Sequence, residues 1–428
     1  MNRRSAISLR PRLHIPLWLA VGGLLALAGC GTSGSSSSPA SGAAAAASSN
    51  CSVVFGTNTE ITGPFEAYGG PAALGLEVAA KAINAAGGVK VGSKTCQFVA
   101  MNEDNKSDPS QVFTASKKVI DAKALVSLGP DFDDQVAYKA FNQAGVIDFV
   151  TGGQVANTLA STPAKVPLAV DMIPFQDLEH AAYLRQAIAY DPTIKRIAVL
   201  YPNDGGGQVI DGQVLGGAKQ AGVTVVSNVA FPDNTSNYSA FLTQIKATHP
   251  DVLVTENTSQ QSQAIIQQAV PLGVAKYYMS ETATSDTIQA TRGIGNTVVF
   301  LPTFAPTYSQ SERLPGQHPE VIFGTAKPPL VPGAAIVLYY AAWLVKQAVE
   351  KAGSTSSQAV FSALKGQSYT GPFGTCMMTS QLFMQCETEF LVVKGKNVMV
   401  ETFKTPYDTK PNGVYACTAG VQVCPKQS

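Results

Sequence analysis

The chain lacks the short motifs by which many enzymes can be read. No G-x-S-x-G, H-E-x-x-H or Walker loop occurs in its 428 residues, and the one G-x-G-x-x-G, Gly29-Cys30-Gly31-Thr32-Ser33-Gly34, falls where the leader meets a Ser/Ala/Gly stretch with no strand before it, so acyl-transfer, zincin, P-loop and dinucleotide chemistries have no local signature. Histidine is down to 4 residues, and those beyond the N-terminal leader, His180, His249 and His318, are scattered. With no C-x-x-C either, a zinc site has no ligand spacing to stand on; neither metal nor cofactor is expected. No apolar run reaches the roughly 20 residues that a membrane helix needs. Basic charge is short as well. Taking Arg3, Arg4, Arg10 and Arg12 of the leader from the chain's 30 basic side chains leaves 26 against 29 acidic ones, a net of −3. That balance gives no electrostatic footprint for nucleic acid.

What is present begins with an export signal. The four arginines precede a short apolar core, and the segment ends Leu27-Ala28-Gly29-Cys30. A basic head, an apolar centre and small residues before a cut read as a secretory leader over residues 1–29. Leu-Ala-Gly-Cys resembles the bacterial lipobox, in which the cysteine becomes the lipidated N-terminus. Cys30 is therefore the expected anchor, holding the mature protein on the extracytoplasmic face of the membrane. Residues 30–50 are almost all Ser, Ala and Gly and read as a flexible tether. Six cysteines follow: Cys51, Cys96, Cys376, Cys386, Cys417 and Cys424. An even number in an exported chain points to disulfides, with the pairing left open by sequence. Cys51 and Cys96 begin the first two predicted strands, so a bridge between them is reasonable. Cys376 with Cys386 could clasp a hairpin, and Cys417 with Cys424 the terminal loop.

Strand-like runs then alternate with helix-like ones, and the stretch 61–90 sets the pattern. A strand-like run, 53–58, leads into a Gly-Pro turn carrying Phe65 and Tyr68. After Pro71 a helix follows whose polar positions up to Asn84 are Glu77, Lys81 and Asn84. Those spacings draw one narrow polar stripe, so most of the circumference should be covered by protein. Gly87-Gly88 end it. A second helix is predicted over 110–122, with Val112, Phe113, Val119 and Ile120 on its apolar side, and a third over 133–144. This rhythm predicts an α/β fold with a parallel sheet and helices on both faces. It breaks into an extended segment around 165–174, restarts, and gives way to hairpins at the C-terminus. The roughly 380 residues beyond the tether exceed what one core serves, so two lobes are expected.

Three features could carry chemistry. Asp204-Gly205-Gly206-Gly207, between a strand and a helix, offers backbone N–H groups to a phosphate, yet without a P-loop lysine it reads better as a tight turn. Asp131-Phe132-Asp133-Asp134 offers paired carboxylates for acid/base work, but more plainly Asp133 is an N-cap for the following helix. Glu281, just after a strand, reads either as a solvated acid or as a counter-charge for a cationic ligand.

Several short segments, in order, carry a family likeness: Ile61-Thr62-Gly63-Pro64, Tyr68-Gly69, Ala85-Ala86-Gly87-Gly88-Val89, Ser107-Asp108-Pro109, Leu128-Gly129-Pro130, Ala144-Gly145-Val146 and Pro250-Asp251-Val252. Together they resemble the type I periplasmic binding proteins of ABC importers, in the branch of branched-chain amino acid and amide binders, from about Val53 to Leu364. The resemblance implies two Rossmann-like lobes with parallel sheets, joined by three hinge crossovers and closing over a small solute. Lobe 1 would comprise 51–167 plus 305–370, and lobe 2 168–304 plus 371–428. It also implies ligand contacts. Phe65 or Tyr68 would supply an aromatic, and Phe132, Asp133 and Asp134 stand where the family usually places serines for a ligand carboxylate. Gly153, Gln154 and Val155 follow, then Gly206 (where a tyrosine is usual), Glu256, Thr258 and Glu281 from the second lobe. The implied partners are a small molecule and the permease subunits of an importer, for a monomeric, non-enzymatic receptor.

The departures from the family decide the expected cargo. No Lys or Arg occupies a matched position, and a carboxylate facing Asp133 would meet like charge in a partly desolvated cleft. A cationic, amide-like or polyhydroxylated solute is expected instead of a branched-chain amino acid, with Phe65, Tyr68 or Phe132 as a stacking face. Two other readings compete: a sensor of the same fold reporting to an envelope kinase, and a secreted hydrolase using the acidic patch. The second lacks an evident nucleophile–base pair.

Overall fold

The computed structural model of the chain describes residues 51–404 and 416–417, apart from 64, 131–133, 152–154, 157, 160–161, 173–175, 204, 233, 256–258, 281–293, 304–321, 325–331 and 395–396. The leader, the tether, Cys30 and Cys424 lie outside the described residues.

Two sheets organise these residues. The first contains β1 (Ser52–Thr59), β2 (Val89–Val91), β3 (Lys94–Asp104), β4 (Val126–Leu128), β5 (Ile147–Val150) and β6 (Ala169–Asp171), in the order β2-β3-β1-β4-β5-β6. Every pairing in it is parallel except β2 with β3. The second has a parallel run of β8 (Thr224–Phe231), β7 (Arg196–Pro202), β9 (Val252–Thr255), β10 (Tyr277–Met279) and β11 (Val298–Thr303). Antiparallel β12 (Ser368–Gly371), β13 (Gly374–Met378), β14 (Met384–Lys394) and β15 (Asn397–Lys404) extend it, and β15 pairs with β16 (Ala416–Cys417). Both sheets are covered on two faces, which is why their strands read as nearly continuous apolar runs.

On one face of the first sheet lie α1 (Glu66–Ala85), α8 (Pro332–Ala352) and α9 (Ser357–Leu364), burying Phe55, Leu76, Phe98, Tyr340 and Val345 in one core. On the other, α2 (Pro109–Asp121) and α3 (Asp134–Ala144) bury Val112, Val119 and Phe141. The second sheet has α4 (Gln176–Tyr190) and α5 (Gly205–Ala221) over Ile197, Val199 and Phe300. Its opposite face carries α6 (Ser239–Lys246) and α7 (Ser259–Leu272) over Leu200, Leu253 and Val299.

The chain passes between the two layered units three times: from β6 to α4, from β11 to α8, and along β14. Met384 and Cys386 of β14 belong to the first core, whereas Phe390 and Val392 belong to the second. Two boundaries read from sequence therefore move. The first sheet runs on to Asp171, past residue 167, because β6 still pairs with β5 before the chain leaves. Residues just after 370 stay with the first unit as well, since Phe373, Cys376 and Met378 pack in its core.

Local expectations fare unevenly. Glu77, Lys81 and Asn84 of α1 are exposed while Ala72, Leu76, Ala79 and Ile83 are buried, as the polar stripe requires. The helix starts at Glu66, however, with Pro71 inside it. Pro71 is the sixth residue of the helix, so it withholds a single intrahelical amide, the one that would meet the Ala67 carbonyl. Phe113 is 59% exposed, contrary to its placement on the apolar side of α2; the buried positions there are Val112, Ala115, Ser116 and Val119. Gly205–Gly207 form the first turn of α5 and not a tight turn. Gly207 is needed because a Cβ there would overlap the carbonyl of Pro202.

The bridges Cys51–Cys96 and Cys376–Cys386 are both formed. The α1–α8 packing has its own tight point, where a Cβ on Gly75 would overlap the backbone of Ala335. Gly75→Ala is expected to lose about 1–3 kcal/mol by overpacking, read as a lowered denaturant midpoint; an unchanged midpoint would show that the helices can separate freely.

Candidate functional site

Parallel α/β sheets take ligands beyond the carboxyl ends of their strands, beside a reversal of strand order. In the first sheet that edge is formed by Thr59, Asp104, Leu128 and Val150, which end β1, β3, β4 and β5. The register keeps these ends together: Thr59 pairs with Asp104, Thr57 with Leu128, and Leu128 with Phe149. The order reverses at β1, flanked by β3 and β4. In the second sheet it reverses at β7, flanked by β8 and β9.

The chain after β1 is held by a polar framework. Asn58 and Glu60 are completely buried. The Asn58 amide donates to the Val112 carbonyl and to Ser116 Oγ, each at 2.9 Å. Buried Asn105 donates to Glu60 Oε1 at 3.1 Å and to Asn58 Oδ1 at 3.3 Å, while Thr59 Oγ1 donates to Glu60 Oε2 at 3.0 Å. Outside this layer, Thr62 Oγ1 donates to Asp104 Oδ2 at 2.6 Å, and the amides of Thr62 and Lys106 reach Asp104 Oδ1. Burial pushes the Asp104 carboxyl up, but these hydrogen bonds together outweigh it and leave it below its ordinary value.

Two consecutive left-handed residues, Lys106 (φ 61°) and Ser107 (φ 55°), turn the loop, a strain that persists only because hydrogen bonds over-determine it. Ser107 Oγ donates to the Thr62 carbonyl at 2.9 Å and accepts the Phe65 amide at 3.1 Å. Gly63 (φ 96°) is required there, since a Cβ would meet Ser107 Oγ at 2.7 Å. Phe65 thereby becomes the N-cap residue of α1, and Tyr68 donates its amide to the Phe65 carbonyl at 3.0 Å. Both side chains are half-buried, at the mouth of the edge.

A second cluster lies under β4 and β5. Asp134, in the first turn of α3, is 6% exposed, and its Oδ2 accepts the Val155 amide at 2.7 Å. Its carboxylate thus braces the segment after β5, bringing together two residues expected as ligand contacts. Asp148 of β5 is 1% exposed, with neither carboxyl oxygen hydrogen-bonded. Burial first, and the nearby charge of Asp134 second, push its carboxyl well above the ordinary value. Tyr138 is pushed up to about 12, by burial and then by Asp148; its hydroxyl donates to the Pro167 carbonyl at 2.9 Å.

The other expected contacts are distributed as follows. Gly206 is in the first turn of α5, just after β7. Phe132, Asp133, Gly153, Gln154, Glu256, Thr258 and Glu281 lie outside the described residues, although each follows a strand of the parallel sheets within five residues or fewer in the sequence. Sequence reasoning missed Glu60, Asn105 and Asp148. The signal for Glu60 was the polar run Thr57-Asn58-Thr59-Glu60 closing an apolar strand; Asp148 was the only charge in the apolar run 146–150. Among the described residues no group of three or more His, Cys, Asp or Glu could hold a metal ion, and no helix is long and apolar enough to cross a membrane.

Comparison with known proteins gives a consistent picture. A family model described as periplasmic binding protein matches residues 35–396. The Leu/Ile/Val-binding protein homolog 8 of Brucella abortus (strain 2308) is 25% identical over 232 residues, covering 52% of this chain and 55% of the relative. The chain thus spans about half the length of the curated relatives it matches. Among solved structures, the branched-chain amino acid transporter substrate binding protein LivJ from Streptococcus pneumoniae, in complex with isoleucine, superposes with a TM-score of 0.66 at 17% identity. The match covers 82% of this chain and 99% of LivJ. An ABC transporter solute binding protein from R. palustris in complex with benzoate gives 0.64 at 14%, covering 82% and 95%. At such identities the likeness is one of fold.

Proposed function

The chain belongs to the periplasmic binding protein family, and from that premise we propose that it is an extracytoplasmic receptor, lipid-anchored at Cys30, that captures a small polar solute between its two lobes and delivers it to an ABC importer. The observation that carries this reading is the pair of parallel sheets, each with a strand-order reversal, linked by three chain crossings. Such an arrangement lets two rigid units close on a solute about a few connecting residues. Phe65 and Tyr68, fixed by the Ser107 and Asp104 framework, are the first lobe's aromatic contacts. The contacts of the second lobe follow β7, β9 and β10 in the sequence, at Gly206, Glu256, Thr258 and Glu281.

The acids argue for a cargo different from those of LivJ and the benzoate protein, whose bound isoleucine and benzoate both carry a carboxylate. Glu60, Asp134 and Asp171 are buried at or beside the carboxyl edge of the first sheet, and among the described residues no Lys or Arg is buried. A cationic, amide-like or polyhydroxylated solute supplies donors to that edge, whereas an anion adds charge of the same sign.

Thermal-shift and calorimetric screening of the protein against cations, amides, polyols, leucine, isoleucine and benzoate tests this. A solute at a hundred times its Kd should raise stability by about 2.7 kcal/mol. Hits confined to the first three classes support the reading; tight binding of leucine, or of benzoate where Tyr68→Ala weakens it, overturns the argument from the acids. For the solute so found, Tyr68→Ala is expected to weaken affinity about tenfold, the loss of one stacking face, with the melting temperature of the free protein little changed. An unaltered Kd would remove Tyr68 from the site.

A further inference from the structure

Beside the end of β6, the first unit holds a cavity of about 370 Å³, within the range that small ligands occupy. Its apolar walls include Leu159, Val166, Phe361, Leu382 and Phe383. Three polar side chains meet at it: Lys365, the residue that ends α9, with Ser380 and Gln381. Lys365 is the only charged residue among those lining it, and no acid does. All three are exposed, and among the described residues none has a side-chain hydrogen bond or ion pair to another group. Apolar walls with one uncommitted ammonium and two uncommitted polar groups fit a molecule with a hydrocarbon body and a single negative end.

The position gives the cavity a consequence. Leu382 and Phe383 close a turn in which the Thr379 amide donates to the Phe383 carbonyl at 2.8 Å and the Phe383 amide to Thr379 Oγ1 at 3.0 Å. The same turn is stitched to the end of β6, where the Asp171 amide donates to the Leu382 carbonyl at 3.0 Å and Asp171 bridges Phe383. Asp171 is the last residue before the chain leaves for α4, and Phe383 the last before β14. Two of the three crossings between the units are thus tied together at the wall of this cavity.

We propose that this cavity is an accessory binding site for a small amphipathic carboxylate, held by Lys365 at its charged end, which braces the junction of β6 with β14. The apolar body gains by leaving water, and the carboxylate by a charge-assisted bond to the ammonium. Neither Phe65 nor Tyr68 lines the site, so it stands whether or not the cargo argument holds.

Octanoate is a suitable probe, with octanol as its uncharged counterpart. Calorimetry on the whole protein should show saturable octanoate binding, at least tenfold weaker in Lys365→Glu and at least tenfold weaker for octanol. Lys365→Arg should retain binding. Lys365 is exposed and among the described residues makes no side-chain hydrogen bond or ion pair, and an unchanged urea midpoint in each variant separates loss of the site from any cost to the end of α9. Hydrogen exchange with octanoate should slow at residues 379–383 and 169–171. Absence of saturable binding overturns the proposal, as does equal affinity in Lys365→Glu or protection confined to the strand ends near Phe65.

Discussion

Converting Cys51 and Cys96 to alanine is expected to lower the unfolding free energy by about 4 kcal/mol, against about 3 kcal/mol for the Cys376 and Cys386 pair. The difference comes from the chain each bridge closes in the unfolded state. The first spans a sequence separation of 45 residues and the second 10, and the entropy withheld from the unfolded ensemble grows with the logarithm of that length. The native contexts point the same way. Cys51 stands where the chain joins the fold, one residue before β1, and its bridge to buried Cys96 pins that central strand to β3 beside the Ser52–Gln97 pair. Cys376 and Cys386 face each other across a ladder that already holds β13 to β14. Urea titration of the two double variants, with the wild type in oxidising and reducing buffer, measures both losses. Equal losses, or the reverse order, would mean that native-state packing, not loop closure, sets what these bridges contribute.

The fold was largely legible because its information is local. The α1 stripe of Glu77, Lys81 and Asn84 and the alternation of strands with helices both repeat within a few residues. A fault such as Phe113 arises where an apolar residue neighbours a genuinely buried one: Val112 and Phe113 differ by one helical step, and periodicity alone does not choose between them. At the glycines after β7, a glycine run without a P-loop lysine argued for a turn, and a close approach to Pro202 that only glycine permits was the stronger effect.

The site was less legible, because its framework is built at long range. Asn105 meets Asn58 across 47 residues, and Thr62 meets Asp104 across 42; polar pairs of that separation leave no periodic trace. Asp134 illustrates the difference between composition and role. As one of three acids in four residues it reads as a ligand contact, yet its Oδ2 is engaged by the Val155 amide. An acid in a loop is chemically available only where no backbone amide has claimed it, and that is a property of the fold.

Asp148 should make the protein lose stability as pH rises, and Asp148→Asn should abolish that dependence. Both oxygens of the Asp148 carboxyl are without a hydrogen bond, in a position 1% exposed. The groups facing it are Asp134 and Tyr138 of α3, and neither supplies a positive charge. Ionising it there would place an uncompensated charge in the interior, so the folded protein keeps the proton, and burial followed by Asp134 holds its pKa well above the ordinary value. In the unfolded chain the same carboxyl ionises near pH 4. Below that pH both states are protonated and Asp148 contributes no slope. Above it the unfolded chain has released a proton that the folded chain retains, so stability falls by up to about 1.4 kcal/mol per pH unit until the folded pKa is reached. Asparagine removes the proton while keeping the shape. The variant should therefore match the wild type near pH 4 and exceed it increasingly between pH 5 and 7, with the gap levelling off once wild-type Asp148 ionises. Urea midpoints measured across that range decide the matter: parallel curves for the two proteins would show that Asp148 is ionised in the fold and has a counter-charge after all.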